Sequence, residues 1–365
     1  MKRLKRIHIL LKLLYRSILH GRAVKVPSQI NRIIVAPTGK LGDVVCNTPV
    51  FQALRQNLPN VYIIAAGNPQ FLKSILDHSG LVDEYLDIEN SDIRADVGIV
   101  TGPSYEYAAE LYLSGIPLVV APTVIGGRSP AETRPYKILK KFVKTFHYRM
   151  GEYAPRERLK SLEALGISSD DTRKILGFSK VALEKISNFF IEHDVDIGKD
   201  LVAGISPSAG NKIKEWPEER FAQVADYLIQ NYKAKVILIG GPKDKEKIKK
   251  VLSHSNLQNQ IIEASDFNLD ELKALISKLS IFISVDSGPI YIAEAFEVPT
   301  IDITGPIDEK EQPPIGLKHR VVVPPERKKP ELYVLNAKHY DKKEALRQVL
   351  SIEVPSVLRE INNLL

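Results

Sequence analysis

Ile33-Ile34-Val35-Ala36-Pro37-Thr38-Gly39-Lys40-Leu41-Gly42-Asp43 is an apolar run that breaks at a proline, two glycines and a carboxylate. Its first four residues read as the end of a β-strand. Val44, Val45, Phe51 and Leu54 then mark the apolar positions of a helix. Strand, glycine-bearing turn and helix open a doubly wound α/β unit, and such sheets bind ligands beyond the C-terminal ends of their strands. Asp43 is the first acidic residue of the chain. The positive end of a helix favours an anion at this turn. An ionised carboxylate at a ligand-binding edge suits a general base.

Outward from this stretch the pattern repeats. Arg32–Ala36 is a strand and Thr48–Asn57 lies in a helix. Residues 61–66 form a strand, 69–78 a helix, and Val97–Val100 and 118–120 further strands. This rhythm predicts a parallel sheet with helices on both faces. Residues 123–160 interrupt it with Arg128, Arg134, Lys137, Lys140, Lys141, Lys144, His147 and Arg149. Gly126-Gly127 and Pro130 there indicate a loop followed by a helix. A solvated basic face and a site for an anionic acceptor are the two readings of that run.

After a helix over residues 181–193 the alternation restarts. Strands are expected at 201–206, 236–239, 261–262, Ile281–Val285 and Thr300–Ile303. Helices are expected at 218–231, 244–252, 269–278 and 289–296. Two consecutive doubly wound units result, spanning residues 28–180 and 181–340. Residues 342–350 and 354–365 read as two closing helices, within a segment 341–365 available to pack back on the N-terminal domain.

Length and charge narrow the function classes. The 365 residues suffice for two domains, and 44% hydrophobic with 26% charged residues is a globular composition. A single cysteine, Cys46, precludes a disulfide framework within the chain and fits a reducing compartment. The net charge of +7 is concentrated: eight of the 51 Lys and Arg lie in residues 1–26, where there is no acid. The other 43 face 44 Asp and Glu, so the body is nearly neutral, which argues against a nucleic-acid partner. In the basic segment Leu4, Ile7, Leu11, Leu14 and Ile18 recur at helical spacing, while Lys5, Lys12 and Arg16 share another face. Lys12 and Arg16 interrupt any bilayer-spanning run. An interfacial helix on anionic lipid is one reading. An amphipathic helix packed on the body, or a basic arm, is the other.

Two further segments have ligand-binding character. Asp286-Ser287-Gly288-Pro289 follows the strand Ile281–Val285. Gly288 permits close approach, Pro289 suits a first helical turn, and the free N–H groups with the Ser287 hydroxyl are able to hold a phosphate. A plain helix cap by Asp286 or Ser287 is the alternative. Ser206-Pro207-Ser208-Ala209-Gly210-Asn211-Lys212-Ile213-Lys214-Glu215-Trp216-Pro217 combines small residues and lysines after a strand, as a diphosphate requires. No Walker A motif, dinucleotide fingerprint, His-Glu-x-x-His or Gly-x-Ser-x-Gly is present.

Taken in order, these segments resemble glycosyltransferase family 9, the heptosyltransferase family of lipopolysaccharide core type. The resemblance rests on Leu41-Gly42-Asp43-Val44-Val45-Cys46-Asn47-Thr48-Pro49, on Ser206 to Ala209 with Lys214 to Phe221, and on Ile237 to Pro242. It continues through Asp286 to Pro289, Val298-Pro299-Thr300 and Thr304 to Asp308. It implies a GT-B fold, two Rossmann-like domains facing across a cleft, with the acceptor on the N-terminal domain and the nucleotide-sugar on the C-terminal one. It further implies inverting, metal-independent transfer of a sugar, usually heptose from ADP-heptose, with no cofactor. Asp43 is then the catalytic base and Lys214 contacts the donor diphosphate. Ser208, Asp286, Ser287, Gly288, Pro289 and Tyr291 line the donor site. Gly42, Arg128, Arg134 and Lys137 serve a lipid-linked, anionic saccharide acceptor such as lipopolysaccharide core. The expected location is cytoplasmic, peripheral on the inner face of the cytoplasmic membrane through residues 1–26. Tyr291 and Cys46 stand where the family often has His, and Glu215 where it has a basic residue, which leaves the sugar open. Other readings are a nucleotide-sugar epimerase or hydrolase on the same fold, and a non-catalytic sugar- or nucleotide-binding subunit.

Overall fold

The computed structural model describes residues 11–13, 15, 16, 18 and 21–365. They divide into a first unit ending at Ile175 and a second running from Leu176 to Leu365.

The first unit comprises β1 (Arg32–Ala36), α1 (Leu41–Val45), α2 (Thr48–Asn57), β2 (Tyr62–Gly67), α3 (Pro69–Leu76) and β3 (Glu84–Asp87). It continues with β4 (Val97–Val100), α4 (Tyr105–Leu113), β5 (Leu118–Ile125), α5 (Arg134–Leu139), β6 (Lys144–Arg149) and α6 (Ala154–Leu159). The sheet order is β3-β2-β1-β4-β5-β6, with every pairing parallel. Ile33, Ile34, Val35 and Ala36 are completely buried, because a central parallel strand is covered on both faces. The chain winds outward from β1 to β3 and returns to the opposite side of β1 as β4. That reversal opens a crevice at the C-terminal ends of β1 and β4.

The second unit comprises α7 (Lys180–Glu192), β7 (Val202–Ser206), α8 (Glu218–Tyr232), β8 (Lys235–Ile239), α9 (Lys245–His254), β9 (Ile261–Ala264) and α10 (Leu269–Ile276). Then follow β10 (Ile281–Val285), α11 (Gly288–Ala295), β11 (Thr300–Ile303), β12 (His319–Val322), α12 (Lys342–Ser351) and α13 (Val354–Asn362). Its order, β12-β11-β10-β7-β8-β9, repeats the same winding, with the reversal between β7 and β10. Ser206 and Ser284 are in register there.

Three expectations change. The basic segment does not interrupt the rhythm: β5 extends to Ile125, and Lys144–Arg149 is an edge strand with Phe146 and Tyr148 buried and Lys144, His147 and Arg149 exposed. The closing helices are part of the second unit. Val349, Ile352, Val357 and Ile361 belong to the second unit's core, and α13 packs on α8, β11 and β12. The fully buried Trp216 anchors them by donating from Nε1 to the Ile352 carbonyl at 2.8 Å. In the N-terminal segment it is Leu13 that is buried in the first unit's core, while Leu11 and Ile18 are 61% and 82% exposed. Arg16 of this helical stretch lies over the Tyr112 ring at 5.4 Å and donates to the Leu113 carbonyl. Leu4, Ile7, Leu14 and Lys5 of the expected amphipathic pattern lie outside the described residues.

Candidate active site

Asp43 does not precede one long helix. It is the third residue of the five-residue α1, and α2 starts again at Thr48 after Cys46 and Asn47. The break has local causes. Asn47 Nδ2 donates to the Asp43 carbonyl at 2.7 Å, Thr48 Oγ1 donates to the Val45 carbonyl at 2.8 Å, and Pro49 favours a fresh helical start. The Asp43 side chain returns to the helix entrance, where Oδ2 accepts the Lys40 N–H at 2.9 Å. This contact dictates Gly39. Its φ is +108°, and a Cβ there would stand 2.3 Å from Asp43 Oδ2, so both backbone and space require glycine.

The other carboxylate oxygen, Oδ1, accepts from Arg158 Nη2 at 3.0 Å. Arg158 comes from α6, and its side chain is 4% exposed against 25% for Asp43. Burial alone lowers the guanidinium's proton affinity, but Tyr148, Asp43 and Cys46 raise it above its ordinary value. Asp43 is thus fixed by both oxygens and still open to water at one side. Gly42 is buried beside it on α1. Arg128 follows β5, which lies two strands from β1, about 10 Å at the usual strand spacing. Arg134 begins α5 and Lys137 lies one turn further on, and all three cations are exposed. Lys140 is instead paired with Glu132 at 2.8 Å.

In the second unit the Ser206 loop and the Asp286 loop follow adjacent strands, β7 and β10, at the point of reversal. A short 3-10 turn, Lys212–Lys214, brings Lys214 Nζ to 2.6 Å from Asp286 Oδ2. Asp286 Oδ1 accepts from the Tyr291 hydroxyl on α11. Asp286 is therefore not the cap of α11. Ser287 is the capping residue, yet its side chain makes no cap bond and lies 3.1 Å from the Ser284 hydroxyl. In the first turn of α11 Pro289 has no N–H and the Ile290 N–H donates to the Ser287 carbonyl at 3.2 Å, so an anion there would meet the Gly288 N–H. The Ser208 hydroxyl oxygen is buried without a partner, a donor awaiting an acceptor. Glu215 fixes the loop by accepting the Ala209 N–H at 3.2 Å and pairing with Lys247 at 3.1 Å.

Asp302, on β11 beside Ser284, was not anticipated. It is 1% exposed and its Oδ1 has no partner. Burial pushes its carboxyl well above the usual carboxylate range, the Asp286 charge adds to this, and Lys214 opposes it. Such a group binds its proton more tightly folded than unfolded. Its contribution to stability is complete below about pH 4 and is lost as pH rises towards the folded value. Asp302→Asn removes that dependence. The melting temperature of the variant should gain on the wild type as pH rises from 4 to 8, and a constant gap would contradict this reading.

Among the described residues no group of three or more His, Cys, Asp or Glu is placed to hold a metal ion.

Comparison with known proteins assigns the architecture to a family. The profile of glycosyltransferase family 9 (heptosyltransferase) matches residues 129–340, more than half the chain. The chain belongs to glycosyltransferase family 9. It is a glycosyltransferase, and the matched span contains Lys214, Asp286 and Tyr291 but not Asp43. Lipopolysaccharide heptosyltransferase 3 of Escherichia coli K12 is 26% identical over 285 residues, covering 73% of this chain and 80% of that protein. A solved family 9 glycosyltransferase from Veillonella parvula superposes with a TM-score of 0.76 at 20% identity, over 93% of this chain and 99% of that one. An E. coli heptosyltransferase solved with ADP-2-deoxy-2-fluoro heptose gives 0.64 at 14% identity, over 91% and 99%. These likenesses show the α/β GT-B fold. The family 9 departures acquire local roles: Tyr291 holds Asp286, Glu215 closes the Lys214 loop, and Cys46 is a buried residue in the break after α1.

Proposed function

We propose that this glycosyltransferase moves heptose from ADP-heptose to a lipid-linked saccharide such as lipopolysaccharide core, with inversion and without a metal ion. The observation that carries the reading is Asp43, a fixed and partly open carboxylate at the reversal point of its sheet. Asp43 takes the proton of the acceptor hydroxyl as that oxygen bonds to the anomeric carbon. The bond from that carbon to the diphosphate breaks, and ADP departs with the electron pair. Lys214, the Gly288 N–H at the start of α11 and Ser208 supply the positive charge and donors that the leaving diphosphate needs. Asp286, itself held by the Tyr291 hydroxyl, holds the lysine between turnovers. The names of the relatives, lipopolysaccharide heptosyltransferase 3 and the enzyme solved with an ADP-heptose analogue, support the donor and acceptor. A thermal-shift series tests the donor, since a ligand that binds only the folded chain raises its melting point. ADP-heptose should raise it, whereas a shift with UDP- or GDP-sugars alone would overturn the assignment.

The reading extends to a cytoplasmic enzyme at the inner face of the membrane. Among the described residues no helix is long and apolar enough to cross a bilayer. Leu11, Tyr15 and Ile18 recur at one-turn spacing and are exposed, beside the exposed Lys12, which suits insertion into a lipid surface. A Leu11→Asp/Ile18→Asp variant alters only exposed positions. It should lose co-sedimentation with vesicles rich in anionic lipid, and sedimentation equal to wild type would exclude this role. Arg128, Arg134 and Lys137 are assigned to the anionic acceptor core.

A further inference from the structure

We propose that Arg158 is the positioning residue of the Asp43 base, fixing the orientation of its carboxylate. The inference rests on the reading of Asp43 as base.

Lys40 N–H secures Oδ2 and Arg158 Nη2 secures Oδ1. Two anchors on different oxygens stop the carboxylate turning about its terminal bond, and each oxygen keeps a lone pair for the acceptor hydroxyl. Arg158 Nη1 also reaches the Asp43 carbonyl at 3.4 Å, so one guanidinium fork grips both backbone and side chain of the same residue. As a stabilising device the pair is poor. Burying a guanidinium is costly, and a partly exposed partner returns little of that cost. As a means of keeping a solvent-open carboxylate still, it is well suited. The helix entrance does not need it, because the Asp43–Lys40 contact already closes the first turn of α1.

Charge points the same way. Arg158 stays protonated throughout turnover. Its guanidinium faces the Asp43 carboxylate directly, at 3.0 Å. Lys40 stands at the start of α1, and the neutral titratable groups Tyr148 on β6 and Cys46 in the following turn lie near the guanidinium. α3, which packs on α1, carries only Lys73, which is paired with Asp77 at 3.2 Å.

Two substitutions separate orientation from charge. Arg158→Lys keeps the cation but loses the fork. It should lower kcat about tenfold and leave donor affinity unchanged. Arg158→Met loses both, so kcat should fall about 10²-fold with donor affinity again unchanged. In an Asp43→Asn background Arg158→Met should cause no further loss. Wild-type kcat in a folded Arg158→Met protein, with Asp43→Asn inactive, would overturn the positioning role alone. Retained transfer by Asp43→Asn would overturn the base itself. If Arg158→Met does not fold, Arg158→Lys decides: kcat equal to wild type overturns the proposal.

Discussion

Asp43→Asn should reduce sugar transfer about 10³-fold while leaving donor binding unchanged, the loss typical of removing a general base. Asparagine preserves shape but cannot take a proton. Its amide also presents only one acceptor oxygen, so either the Lys40 N–H or Arg158 loses its partner. The melting temperature should therefore fall, and the two effects are separated by measuring donor affinity, which belongs to residues of the second unit. Reduced transfer with intact donor affinity is the expected pair of results. Weakened donor binding in parallel with transfer would mean that Asp43 supports the fold instead of the chemistry.

Lys214→Met should lower transfer by about 10² to 10³-fold, as when one donor to a developing anion is removed, and should weaken donor binding as well. It also leaves Asp286, nearly buried, with only the Tyr291 hydroxyl as partner, which costs about 3 kcal/mol of stability. The double variant Lys214→Met/Asp286→Asn discards that orphaned charge. It should recover most of the stability and none of the transfer. Recovery of transfer along with stability would show that Lys214 serves the fold alone.

Much of this was legible in the chain because central parallel strands are written as apolar runs closed by glycine, proline or a polar loop. β1, β4, β10 and β11 were read to the residue, whereas α1 and α2 were read as one helix. The strands that escaped, β3, β6 and β12, all lie at sheet edges. An edge strand faces water along one side, so Glu84-Tyr85-Leu86-Asp87 or Lys144-Thr145-Phe146-His147-Tyr148-Arg149 carries charges that hide its period. The candidate site was half legible. Asp43, Lys214 and Asp286 stand out because they follow strands, yet nothing local pairs Lys214 with Asp286 across 72 positions. Arg158 lies 115 positions from Asp43 on a six-residue helix announced only by Pro155. Asp302 was invisible because its significance is its burial in β11, which only the assembled sheet creates.

The central claim is direct displacement at the anomeric carbon by an acceptor hydroxyl that Asp43 deprotonates. NMR of the product made by the wild-type enzyme from ADP-heptose and a lipopolysaccharide-core acceptor tests it most directly. The account predicts a single new glycoside whose anomeric configuration is opposite to that of the donor. A product with retained configuration, or isomerised or hydrolysed donor with no glycoside, would contradict it.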